Sequence, residues 1–263
     1  MFTRAFLTLV TGFIAALPAP AQTARIVRLT TADDVGISAA FYAAVSNPAP
    51  AVILIHSLGQ TREEWATFVP MLQHAGFAVL AVDLRGHGES NRRLTGQGPQ
   101  SVDYHKFASR DFQDMLLDVD TAFNWFTAQP GVDRNRVAIV AASLGANVAL
   151  RYAAFNEDVA AFLLLSPGMV YQDVRADDVI GKVGHRPVRI VVSRFDGYSF
   201  ESCKRLIELR KQAGETGATN DLTVCSGSQH GVAMLTGVKQ LPGVCIDWLR
   251  QALGTGAAAT TPQ

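Results

Sequence analysis

The stretch RVAIVAASLGANVALRYAAF, Arg136 to Phe155, decides how this chain is read. Val137 to Ala142 is an unbroken apolar run of strand length, Ser143 interrupts it, and an alanine-rich segment with helical composition follows from Leu144. A serine between such a strand and such a helix must sit on a tight turn. Ala141 and Gly145, two residues to either side, are small, so the helix start can pass close to the strand end without a Cβ clash.

Outward from this turn, apolar runs and helical patterns alternate. Toward the N-terminus, AVILIHS (Ala51 to Ser57) and Phe77 to Val82 are apolar enough for burial on both faces of a parallel sheet. Trp65, Phe68, Val69 and Leu72 recur at helical spacing between them, after a capping Thr61 with Glu63 and Glu64 in the first turn. ARIVRLTT and VGISAAFYAAV flank the Asp33-Asp34 turn and predict an antiparallel hairpin at the sheet edge. Asn91 to Lys106 is polar and aperiodic and predicts a surface loop, and a long helix is expected from about Ala108 to Ala128. Toward the C-terminus follow strands at Val159 to Leu165, Val188 to Ser193 and Leu222 to Ser226, a helix from about Ser199 to Ala213, and a closing helix ending near Leu253. The alternation calls for an α/β fold with a mostly parallel, doubly wound sheet.

The first 21 residues combine Arg4, an apolar run from Ala5 to Leu17 and small residues at Ala19 and Ala21, the pattern of a secretory signal peptide. The run is shorter than the roughly 20 apolar residues that span a bilayer, so no stable membrane insertion is expected after its removal. Residues 22–253 are expected to form one domain, since such folds run to about 250 residues, and GTGAAATTPQ (254–263) to be a disordered tail. The chain is therefore expected to be exported, periplasmic or secreted. With 23 basic and 23 acidic residues and no basic stripe, nucleic acid and anionic membrane surfaces are disfavoured as partners. Cys203, Cys225 and Cys245 are an odd number for an exported chain; a Cys225–Cys245 disulfide is preferred over three buried thiols.

A serine hydroxyl needs a base within hydrogen-bond reach and a third group to orient that base. In this sheet type the order along the chain is serine, acid, histidine. His56, His74, His87 and His105 precede Ser143, and His185 precedes the best acid, which leaves His230 in the loop SGSQHG. Asp196 follows the apolar run RIVVS by three residues with Gly197 beside it, whereas the alternative, Asp173, lies farther from its strand. Acyl transfer also needs donors for the developing oxyanion, expected from the backbone N–H groups of Leu144 and Leu58.

With IHSLGQ, VDLRGHGES, AASLGA, FDGYS and SQHG in this order, Val52 to Leu249 resembles the α/β-hydrolase superfamily, nearest to small dienelactone-hydrolase-like or serine-peptidase-like bacterial members. The resemblance implies a Ser143, Asp196, His230 triad, no cofactor, and a small-molecule ester or amide as substrate. Ser57 stands where many members have glycine, and Ala141 replaces the first glycine of the G-x-S-x-G elbow. Only Ser166 to Arg186 is available where lid-bearing relatives insert a cap, so no large cap domain and an open site are expected. A carboxylesterase is the preferred function, beside an amidase or peptidase with the same triad and a non-catalytic binding protein of this fold.

Overall fold

The computed structural model describes residues 23–214 and 222–254. The expected signal peptide and nearly all of the expected tail lie outside the described residues. The chain opens with β1 (Arg25–Thr30) and β2 (Val35–Tyr42), paired antiparallel around Asp33-Asp34 as their alternation predicts. Then come β3 (Ala49–Ile55), α1 (Val69–His74) and β4 (Ala78–Val82). The polar stretch that follows is loop with two short strands in it, β5 (Arg92–Arg93) and β6 (Gln100–Ser101).

The long helix expected over 108–128 is two helices, α2 (Ser109–Gln113) and α3 (Met115–Thr127). At the junction Asp114 has ψ −6°, and Phe112 before it and Met115 after it are both buried in the core. Beyond it run β7 (Val132–Ala142), α4 (Leu144–Ala153) and β8 (Ala161–Leu165), then a two-residue-strand hairpin of β9 (Val170–Tyr171) and β10 (Val174–Arg175). The chain ends with β11 (Val188–Ser193), α5 (Gly197–Gln212), β12 (Leu222–Cys225), α6 (Ala233–Gly237) and α7 (Leu241–Ala252).

Ten strands form one sheet in the order β12-β11-β8-β7-β3-β4-β2-β5-β6, with β1 also paired to β2. All pairings from β12 to β4 are parallel, and the antiparallel ones are confined to the β1, β2, β5, β6 end. β3, β4, β8 and the Val137–Ala142 half of β7 are apolar at every position because both faces are covered. Ile53 and Ile55 of β3 point into a core shared with α3, α4 and α5, while Val52 and Leu54 point into one shared with α1, α6 and α7. Each such fully buried side chain contributes about 1.5–3 kcal/mol, so this two-sided core dominates stability. The segment between β8 and β11 holds only the β9–β10 hairpin and one 3₁₀ turn, so no large cap covers the carboxyl end of the sheet.

Candidate active site

Ser143 joins β7 to α4 with φ 54° and ψ −123°, a backbone conformation L-residues avoid at a cost of about 1–3 kcal/mol. Its N–H donates to the Leu165 carbonyl at the end of β8 (2.8 Å), which anchors the turn to the neighbouring strand. Glycine at position 145 is compelled by proximity: a Cβ there would sit 2.4 Å from the His56 carbonyl oxygen and 2.9 Å from a methyl of Ile55. Ala141, by contrast, lies within the ladder opposite Ile55 and Leu164, fully buried, where a methyl is accommodated. The departure at 141 thus leaves the turn intact.

His230 lies in the loop after β12, and its Nδ1 meets Asp196 at 2.9 Å (Oδ2) and 3.1 Å (Oδ1). Asp196 lies three residues after β11, at the residue that precedes α5, with its carboxylate turned to the histidine and not to the helix amides. With Nδ1 committed to the carboxylate, Nε2 is the ring nitrogen left for chemistry. Gly231 N–H donates to Ser166 Oγ (3.0 Å), fixing the histidine loop to the end of β8. Ser199 Oγ stands 3.4 Å from Nδ1 and 2.8 Å from the Tyr171 hydroxyl, and the Tyr171 ring meets the imidazole edge-on. Burial pushes the Tyr171 hydroxyl up to about 12, so it stays protonated. Asp173, the other candidate acid, is exposed at the tip of the β9–β10 hairpin and bonds to Ser109 instead of any histidine.

Ser143 and His230 line one cavity of about 600 Å³, together with Ser57, Leu58, Glu64 and Val232. Leu144, as the first residue of α4, has an N–H without an intrahelical acceptor. The loop carrying Leu58 is held by two buried histidines. His56 Nε2 accepts from Leu84 N–H (3.0 Å) while its Nδ1 donates to the Ser57 carbonyl (2.7 Å). His87 Nε2 accepts from Gly59 N–H (3.1 Å), and its ring stacks on Tyr104 at 4.1 Å. Burial, with His87 adjacent, drops His56 to about 3, and burial lowers His87 too, so both act as neutral hydrogen-bonding pegs. Among the described residues no group of three or more His, Cys, Asp or Glu side chains is arranged to hold a metal ion.

A sequence profile described as the alpha/beta hydrolase family matches residues 52–228, most of the chain. The protein belongs to the alpha/beta hydrolase family. An uncharacterized protein of Mycobacterium bovis is 33% identical to this chain over 131 residues, 49% of the chain and 33% of the relative. The chain thus spans about a third of the length of the first curated relatives it matches. An esterase of Pyrococcus furiosus superposes with a TM-score of 0.69 at 17% identity, covering 89% of this chain and 94% of that one. An acylaminoacyl peptidase of Pyrococcus horikoshii gives 0.71 at 11% identity, covering 92% and 43%. At such identities these likenesses speak for the fold alone.

Several polar residues of the chain act in ways their local sequence does not announce. Arg85 is buried and bonds Asp118 through Nε (2.8 Å) and Asp33 through both terminal nitrogens (2.9 and 3.0 Å). Asp118 sits on α3, where helical periodicity offers no hint of a partner 33 residues upstream. Glu64 stands in the first turn of a 3₁₀ helix after the capping Thr61, as expected, and its carboxylate also accepts two hydrogen bonds from Ser57. The pairing of Cys225 with Cys245 is not made: all three cysteines are free and buried. Burial raises each thiol, Cys245 to about 12, so they behave as small core residues.

Proposed function

We propose that the chain is a serine hydrolase, a carboxylesterase for small or accessible esters that works through an acyl-enzyme. The observation that carries this reading is the shared cavity: Ser143 on a strained turn and His230, oriented by Asp196, line the same open pocket. Ser143 Oγ attacks the carbonyl carbon while His230 Nε2 takes its proton. The tetrahedral oxyanion is held by the Leu58 and Leu144 N–H groups. His230 returns the proton to the departing alcohol, and water repeats the sequence to release the acid. Asp196 fixes the tautomer with the proton on Nδ1 and stabilises the imidazolium. None of these steps calls for a cofactor.

The lack of a large cap favours short acyl chains or an extended substrate over long-chain lipid. The leader-like first 21 residues place the enzyme outside the cytoplasm in this reading. The test is Ser143→Ala assayed with p-nitrophenyl acetate and a fluorophosphonate probe. Hydrolysis is expected to fall by about 10³-fold or more and labelling to vanish. Unchanged turnover and labelling in the variant would sink the mechanism. A panel of esters of graded acyl length beside peptide amides then separates an esterase from an amidase.

A further inference from the structure

Ser57 occupies a position where the family pattern has glycine, and its surroundings give the hydroxyl a task. Its N–H donates to Glu64 Oε2 (2.8 Å) and its Oγ–H to Glu64 Oε1 (2.9 Å), so one carboxylate grips both polar hydrogens of a single residue. Its carbonyl accepts from Gln60 N–H (3.1 Å) and from His56 Nδ1 (2.7 Å). Every polar group of Ser57 is thereby fixed, one residue before the Leu58 amide. Across the cavity Ser57 Oγ also abuts the histidine loop: a Cβ on Gly231 would lie 3.0 Å from it. Glu64 lines the same cavity as Ser143 and His230.

We propose that Glu64 is a positioning residue of the hydrolytic site, which through Ser57 seats the Leu58 N–H for the oxyanion and sets the approach of the His230 loop. This rests on the hydrolytic reading above. The location of the charge agrees with the role. Burial leaves the Glu64 carboxyl raised, and the two Ser57 bonds together with a charge on His230 oppose that rise, so the ionised form is best supported when the clamp is made and His230 is protonated. That is the state of the site during acylation. The other charged or titratable groups facing this part of the cavity are Glu63 beside Glu64 and Asp196 behind His230.

The experiment compares the full chain with S57A, E64Q and the double variant. Steady-state kinetics on p-nitrophenyl acetate are measured beside a ¹³C NMR titration of the Glu64 carboxyl. Each single substitution is expected to lower kcat about tenfold with KM within about twofold, as for a small misplacement of a catalytic donor. The double variant is expected to be no worse than the weaker single by more than about twofold, because both act through one clamp. In S57A the Glu64 titration moves to higher pH. Wild-type kcat in E64Q, or losses that multiply in the double variant, would overturn the proposal, as would a Glu64 titration unmoved by S57A. If E64Q does not fold, S57A, which removes only a hydroxyl, carries the kinetic arm. A wild type without Ser143-dependent hydrolysis overturns the reading of the site and the kinetic role with it; the titration, which needs no turnover, then decides the clamp by itself.

Discussion

Two acid–base pairs sit near the carboxyl end of the sheet and have opposite fates. Arg85 and Asp118 have side chains only 2% and 0% exposed, and the guanidinium engages Asp33 as well. His230 and Asp196 are 40% and 13% exposed, and one nitrogen of the imidazole is left uncommitted beside a cavity. The closed pair ties the β1–β2 turn, the loop after β4 and α3 into one piece. The open pair has a partner on one side and room for a substrate on the other. A charged residue stays open to a ligand where its hydrogen bonding is completed on one flank only, and is structural where it is completed on all.

The contrast can be broken in order of expected effect. Asp196→Asn preserves shape but lets the histidine take the wrong tautomer, so kcat should fall by about 10⁴-fold with little change in melting temperature. Asp173→Asn should stay within about twofold of wild type in the same assay, and an equal loss in both variants would void the assignment of the acid. Asp118→Asn should do the reverse: it strips Arg85 of a buried partner and costs about 3 kcal/mol in denaturant unfolding, with kcat/KM of the folded enzyme within about threefold.

A fourth outcome concerns His56, whose folded-state pKa of about 3 lies below that of the unfolded chain. Between these values only the unfolded state binds the proton, so this contribution is whole above pH 6.5 and is lost as pH falls toward 3. The stability gap between wild type and His56→Gln should therefore narrow by about 1.4 kcal/mol per pH unit from pH 6.5 to 4. A constant gap would show that His56 is not held neutral. The smallest effect is a null: with three free buried thiols, a reductant should leave the melting temperature unchanged.

Much of this was legible in the sequence wherever one residue type answers to one local demand. The runs that became β3, β4, β8 and the Val137–Ala142 half of β7 are apolar at every position because two helix layers cover them, and burial on both faces leaves that trace. Gly145 is legible because only a hydrogen fits against the His56 carbonyl, and His230 because chain order eliminates its rivals. Glu64, Ser166 and Asp118 were not legible. Each works through a partner supplied by another element, and a glutamate in a first helical turn reads the same whether it faces water or Ser57. The break at Asp114 was not legible either, since the apolar spacing of α2 and α3 is continuous across it.

The last residue of β8 and the one after it have a consequence for the order in which the molecule is completed. Leu165 accepts the amide of Ser143 and Ser166 accepts the amide of Gly231, so two neighbouring residues hold the serine turn and the histidine loop at once. Those contacts join segments far apart along the chain, and non-local parallel pairings form slowly. Recovery of activity on refolding should then trail the return of helical signal, making turnover a clock for the moment the centre of the sheet locks into register.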